Sequence, residues 1–324
     1  YELLSQLGHS RTALHPSLTQ IRTDPAPIRG LKGVRADCRM RLRADGRTIQ
    51  EDAGEAQFTE TGVSGPVAFA LSRAAGQAQG AELLLDFLRD YPAPQVRGLL
   101  QARRAAFPVL AGEELLSGML HPRLGKTLCH ARGLGAQPLA SVSDAALDAL
   151  VNAIKYFSLP VTGVSGFESA QVTAGGVRTA EFRADTLESR LAPGVFACGN
   201  VVHVHDLVDF VSAESFKAGK AAAEYVQGKK RVGTYVSVKD GDGVRGVVPQ
   251  KLLIPDGDAE NVQIMFRPSG VYENAYIRVM DGEKELIKQK KRILTPGEMA
   301  ELVLKPEVVK GLSGADVTVS IVKE

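Results

Sequence analysis

"VFACGNVVHVHDLVDFVSAESFKAGKAAAEYV", residues 195–226, runs from four apolar residues through a glycine, two histidines and two aspartates into a stretch of small residues. The spacing predicts a buried strand over 195–198, a turn at Gly199–Asn200 and a helix over about 213–227. On that helix Phe216, Gly219, Ala223 and Val226 recur at three- and four-residue steps, a narrow stripe expected to be buried close against a sheet. Ser212 is placed to cap the helix, and Glu214 suits its first turn, where the helix dipole favours an acid. Such a strand, turn and helix can hold a metal, hold a nucleotide, or simply reverse the chain.

The metal reading rests on His203 and His205, one residue apart, with Asp206 and Asp209 close by. A zinc site needs ligands from elsewhere as well, usually further histidines. The other four, His9, His15, His121 and His130, stand singly, so no metal is expected. The nucleotide reading uses the glycine, which lets backbone approach a ligand, and the helix N-terminus, which presents unpaired N–H groups and partial positive charge. A second glycine turn upstream, Thr173-Ala174-Gly175-Gly176-Val177, strengthens it.

Composition bounds the partners. The 324 residues suffice for two or three domains, and 44% hydrophobic with 23% charged residues is ordinary for a globular protein. A formal charge of +2 gives no reason to expect nucleic acid or a membrane surface, and the basic runs at 229–231 and 288–292 read as a linker and a solvated strand face. No apolar run reaches the roughly 18 residues of a membrane span. Three scattered cysteines, Cys38, Cys129 and Cys198, fit a reducing, cytoplasmic setting better than a disulfide scaffold.

Along the chain, residues 11–58 read as short strands. Val34, Ala36, Cys38, Met40 and Leu42 alternate with charged neighbours, and "ADGR" at 44–47 reads as a hairpin turn. Residues 66–106 read as helical, with "AELLLDFLRDY" stopped by Pro92, and further helices are expected over 112–132 and 143–157, the second capped by Ser143. Strands and glycine turns return from 161. Beyond "QGKKR" at 227–231, seven short alternating segments predict a β-sandwich of immunoglobulin-like layout.

"FESAQVTAGGVRTAEFRADTLESRLAPGVFACG" closely resembles the closing segment of the aminoacetone-oxidase-like, BaiN-type family of FAD-binding flavoproteins. "LHPSLTQI" at 14–21, "GEAQFTETGVSGPVAFALSR" at 54–73 and "VTGVSGFESAQ" at 161–171 are similar to further family segments, in family order. From about 195 onward the chain instead resembles another group of FAD-dependent NAD(P)H oxidoreductases, in which the helix leads to a terminal β-domain. Two departures stand out. The family's FTH motif reads Phe58-Thr59-Glu60, and the G-x-G-x-x-G unit that grips the FAD pyrophosphate in both groups is not found. The Tyr1 start fits a chain without that unit, and weak flavin binding and low activity of the isolated chain are then expected.

The resemblance implies a multi-domain α/β plus all-β fold. Residues 1–158 would form a flavin-covering, substrate-defining domain, β-rich and then helical; 159–230 the C-terminal part of a Rossmann-like FAD/NAD(P)-binding domain; and 231–324 the sandwich. It also implies FAD as cofactor, reduced nicotinamide as an electron donor, and a small-molecule substrate, with homo-oligomer contacts through the sandwich. Flavin contacts would come from Thr173, Gly175, Gly176, Gly199, Asn200 and the backbone of Val211, Ser212 and Ala213, with His203 and His205 as titratable groups for proton transfer. Each has a plainer reading: tight turns for the glycines, structural roles for the histidines. Two rival functions stay open, a non-catalytic association module and a zinc-dependent hydrolase built on His203 and His205.

Overall fold

A computed structural model describes residues 1–202, 204–229 and 232–323. The chain forms two compact units, one of Thr12–Gly176 and one of Tyr1–Arg11 with Val177–Glu324. Helix α1 (Glu2–Gln6) opens the chain and belongs to the second of these.

The Thr12–Gly176 unit begins with β1 (His15–Ser17), β2 (Ile21–Thr23), β3 (Arg35–Ala44), β4 (Arg47–Phe58) and β5 (Gly62–Ser64). It continues through α2 (Pro66–Gln77), β6 (Glu82–Asp86), α3 (Ala93–Ala106), α4 (Pro122–His130), α5 (Asp144–Lys155), β7 (Phe157–Val164) and β8 (Val172–Ala174). Six strands close a barrel in the order β2-β5-β4-β3-β6-β7, β7 pairing back onto β2. The period-two pattern of β3 does what it predicts: Cys38, Met40 and Leu42 are fully buried, and the arginines between them face outward. Asp45 and Gly46 both take positive φ, 50° and 72°, the twist-compatible connection of a two-residue hairpin. Helix α2 lays Val67, Ala68, Leu71 and Ala75 on the barrel core, and Ser143 caps α5 by accepting the Ala146 N–H at 3.2 Å.

Two expectations fail here. "AELLLDFLRDY" is not a helix: Glu82–Asp86 is a barrel strand between β3 and β7, with Leu83 and Leu85 fully buried. Three successive leucines fit either period, and pairing with strands on both sides decides for extended chain. Pro92 accordingly precedes a helix, standing at the N-cap of α3. The helix expected over 112–132 contracts to α4, preceded by a single 3₁₀ turn at Gly112–Glu114.

At the C-terminus of α5, Lys155 is buried against Asp86, Nζ to Oδ2 2.7 Å. Its ammonium also donates to the carbonyls of Leu88 (2.9 Å) and Tyr91 (2.5 Å), and Asp86 Oδ1 accepts the Leu88 N–H. This network anchors the segment after β6 and itself lines an open hollow of about 500 Å³, with Arg39, Arg41, Arg89 and Tyr91 beside Asp86 and Lys155.

The second unit continues with α6 (Val208–Val226), β9 (Gly233–Asp240), β10 (Val244–Val248), β11 (Lys251–Pro255), β12 (Val262–Pro268) and β13 (Tyr272–Asp281). It ends with β14 (Lys284–Leu294), β15 (Ala300–Leu304), α7 (Pro306–Lys310) and β16 (Val317–Val322). A three-stranded sheet, β10-β12-β15, and a five-stranded sheet, β11-β9-β16-β13-β14, share one apolar core that includes Val236, Ile264, Phe266, Ile277, Val279 and Val319. The described strands here number eight against the seven expected, because "VVPQKLLI" divides at Pro249, whose ring cannot donate to a ladder.

The opening stretch is corrected in two ways. Residues 195–198 are half-buried extended chain with a single bridge, Phe196 to Glu188, and not a buried strand. Helix α6 starts at Val208, so Ser212 lies inside it and is not its cap. Its buried residues are Ala218 and Ala221, while Phe216 is 81% and Val226 84% exposed. The small-residue stripe exists but faces outward. No helix among the described residues is long and apolar enough to cross a membrane.

Candidate functional site

The turn ahead of α6 is built around Glu214. Gly199 takes φ +76° and donates its N–H to Glu214 Oε2 at 2.6 Å. His205 Nε2 lies 3.2 Å from the same oxygen, with the imidazole fully buried and stacked toward Phe210 at 6.4 Å. Asn200 Oδ1 accepts the His205 N–H at 3.2 Å. One carboxylate thus ties both ends of the turn to the second turn of α6. The structure brings Gly199, Asn200 and His205 together with Val211, whose Cγ1 would lie 3.4 Å from a Cβ added at Gly199. His203 lies outside the described residues. The N–H groups of Val211, Ser212 and Ala213 fall beyond the helix's first turn, so the amides left open by helix geometry are those of Val208 and Asp209; the Phe210 N–H already reaches Leu207 O at 3.2 Å.

The other predicted turn lies in the Thr12–Gly176 unit. Strands β1 and β8 pair Pro16 with Thr173 and His15 with Ala174. Gly175 follows at φ +88°, so close to its neighbour that a Cβ would lie 2.1 Å from Ala13 O. Gly176 O accepts the Thr12 N–H at 2.9 Å, and Thr12 Oγ1 accepts the Gly176 N–H at 3.1 Å. Gly176 takes φ +146°, so both glycines have a conformational reason to be glycine.

One constellation escaped the sequence entirely. His9 Nδ1 lies 2.8 Å from Glu181 Oε2, and its Nε2 lies 2.9 Å from Ser189 Oγ, with the ring stacked on Phe182 at 4.9 Å. The order serine, histidine, carboxylate is that of a nucleophilic triad. Its chemistry differs: Ser189 is 3% exposed, and its Oγ already accepts the N–H groups of Leu191 (3.1 Å) and Ala192 (2.8 Å). A hydroxyl with both lone pairs engaged is a staple, holding residues 9–10 to 181–192. Sequence separations of 172 and 180 left no local signal for it. Further polar ties within this unit join that segment and the turn ahead of α6 to the sheets and their loops. Tyr235 donates to Asp185 at 2.6 Å, and Asp206 pairs with Arg267 and accepts the Met299 N–H at 2.7 Å.

Among the described residues no group of three or more potential metal ligands converges. Cys38 and Cys129 are buried, and desolvation pushes their thiols up to about 12 and about 11. Both stay protonated at neutral pH and hidden from reagents. In a thiol titration of the native chain, half-buried Cys198 alone is expected to react, rising to three thiols after denaturation. Rapid modification of two or more in the native state would contradict this packing.

Residues 15–172 match the HI0933-like protein barrel and H2TH domain. The chain is 32% identical over 234 residues to the 3-dehydro-bile acid delta(4,6)-reductase of Clostridium scindens, a stretch covering 69% of this chain and 57% of that protein. It is 29% identical over 150 residues to the ribosomal RNA dihydrouridine synthase of Escherichia coli, covering 45% of this chain and 36% of that protein. The chain thus spans under two thirds of the length of these relatives. The barrel matches the domain description, and the motif segments at 14–21, 54–73 and 161–171 fall within or beside the matched residues. Residues 15–172 thus carry the HI0933-like barrel and H2TH domain, and the chain is similar to the aminoacetone-oxidase-like, BaiN-type family that its motifs resemble.

Proposed function

We propose that this chain is the C-terminal portion of an FAD-dependent oxidoreductase, passing hydride between NAD(P)H or an organic donor and a small-molecule acceptor. The observation that carries the reading is the identity to a protein named as a reductase, extending well beyond the barrel domain to 234 residues. The finer fold reading belongs to the same proposal: a covering domain at 1–158, part of a Rossmann-like FAD domain at 159–230 and an immunoglobulin-like sandwich at 231–324, in a cytoplasmic protein.

The residues ahead of α6 suit the edge of a flavin. Gly199 has no side chain to intrude, and the open amides of Val208 and Asp209 with the helix dipole would favour an electron-rich ring. FAD would supply the hydride chemistry when bound. Among the described residues the turn engages the Asn200 side chain through its carbonyl oxygen, which leaves its amide donors for a hydroxyl of the cofactor. Val211, Ser212 and Ala213 would give a packing wall. His205, buried on Glu214, orients the turn and does not exchange a proton with substrate in this reading. The exposed apolar side chains Val201, Val208, Phe216 and Val226 favour a second reading, an association module without flavin.

Titrating the purified chain with FAD and with riboflavin, followed by flavin fluorescence, separates the two. Saturable binding of both, with similar affinity, is expected if these residues meet the isoalloxazine. A chain that binds neither flavin yet self-associates in sedimentation would replace the first reading by the second.

A further inference from the structure

Strand β14 carries Lys284, Lys288, Lys290, Lys291 and Arg292 against one acid, Glu285, and it is the outermost strand of the five-stranded sheet. Directly opposed residues share a sheet face, so Lys288 and Lys290 stand beside Arg278 and Tyr276 of β13. That face looks away from the core, because the alternate residues Ala275, Ile277 and Val279 are fully buried. Lys288 Nζ lies 4.6 Å and Lys290 Nζ 5.7 Å from the Tyr276 ring centroid, a cation–π arrangement that gathers both ammonium groups over one tyrosine. Lys220, Lys239 and Lys310 of the same unit all pair with carboxylates. Among the described residues no such ion pair forms for Arg278, Lys288, Lys290, Lys291 or Arg292. Among the described residues Arg278 Nε and Ser320 Oγ, opposite each other on β13 and β16, are buried without a hydrogen-bond partner.

Charged side chains on an edge strand guard it against pairing with other chains. Lysine is the usual guard, but guarding alone does not account for five basic residues on one strand with Arg278 beside them on the next. Residues on one face of a strand repeat about every 6.6–6.8 Å, which sets Lys288 and Lys290 in line as a repeating positive charge. A repeating anion complements such a line better than one small anion does. We propose that this face of the sandwich binds the phosphate backbone of a nucleic acid. Tyr276 is already covered by two lysines and gives no bare platform for a base, so the binding is independent of sequence. The net charge of +2 conceals the site because acids elsewhere in the chain offset it. The inference is independent of the flavin reading.

The test is fluorescence anisotropy of the full chain with a labelled oligouridylate across a salt series. Neutralising three or four phosphates gives a slope of log K against log salt of about −2 to −3. K288E/K290E/R292E is expected to weaken binding by about tenfold or more and to flatten the slope. K251E/K305E, on exposed positions elsewhere in the unit, should stay within about twofold of the parent. Should the triple variant misfold, K288E and K290E singly should each lower the slope by about 0.7. The proposal is overturned by absence of binding at low salt, by equal losses in the two multiple variants, or by stronger binding to polyglutamate or anionic vesicles than to the oligonucleotide.

Discussion

Asp86→Ala is expected to destabilise the Thr12–Gly176 unit by about 3–5 kcal/mol. The Lys155 and Asp86 side chains are 8% and 9% exposed, so the pair is screened by protein and not by water. Removing the carboxylate leaves a buried ammonium with only the carbonyls of Leu88 and Tyr91, and it also strips the Leu88 N–H of its acceptor. The pair itself contributes far less than this, since burying two charges costs about as much as their attraction returns. The double variant D86L/K155M should therefore recover most of the loss, leaving about 1 kcal/mol or so. Urea unfolding followed by far-ultraviolet circular dichroism measures both. If D86A falls within 1 kcal/mol of the parent by that measure, the pair is wetter than its burial indicates.

Gly175→Ala should dissolve the β1–β8 ribbon while leaving the barrel intact. A positive φ costs an alanine roughly 1–2 kcal/mol, and moving backbone to relieve a Cβ set 2.1 Å from Ala13 O adds roughly 1–3 kcal/mol. A ribbon of two three-residue strands has little stability to lose. Hydrogen exchange reads the outcome residue by residue. Protection of the Thr12 amide and of the amides pairing His15–Ser17 with Val172–Ala174 should vanish, whereas Met40 and Leu42 in the barrel should exchange as before. Unchanged protection in the ribbon would mean that the turn accommodates a side chain.

What the sequence disclosed divides along physical lines. The β3 strand and its Asp45-Gly46 turn were legible because one wet face forces strict alternation and a two-residue hairpin demands positive φ. The segment 82–86 was not, because Leu84 on the outer face is as apolar as Leu83 and Leu85 on the core face, so the residue types lack the alternation that the burial keeps. On α6 the stripe at Phe216, Gly219, Ala223 and Val226 was real, yet amphipathic spacing gives a face and never the side to which it turns. The site shows the same limit. Gly199 and Asn200 were found from the turn, but Glu214 as the common acceptor for Gly199 and His205 required coordinates. The His9–Glu181–Ser189 staple joins positions far apart in the chain, beyond any local pattern.

The chain enters the barrel-bearing unit after Arg11 and leaves it before Val177, and those two residues bridge each other, as Thr12 and Gly176 do one step further in. A module whose two ends sit one hydrogen bond apart behaves as a cassette. Recombination could lift residues 12–176 out and close the gap with a very short linker, or place them in any host loop of matching width. Its surroundings can therefore change in evolution without unravelling the fold inside, and the flanking sequence can diverge toward other relatives while the barrel keeps its own.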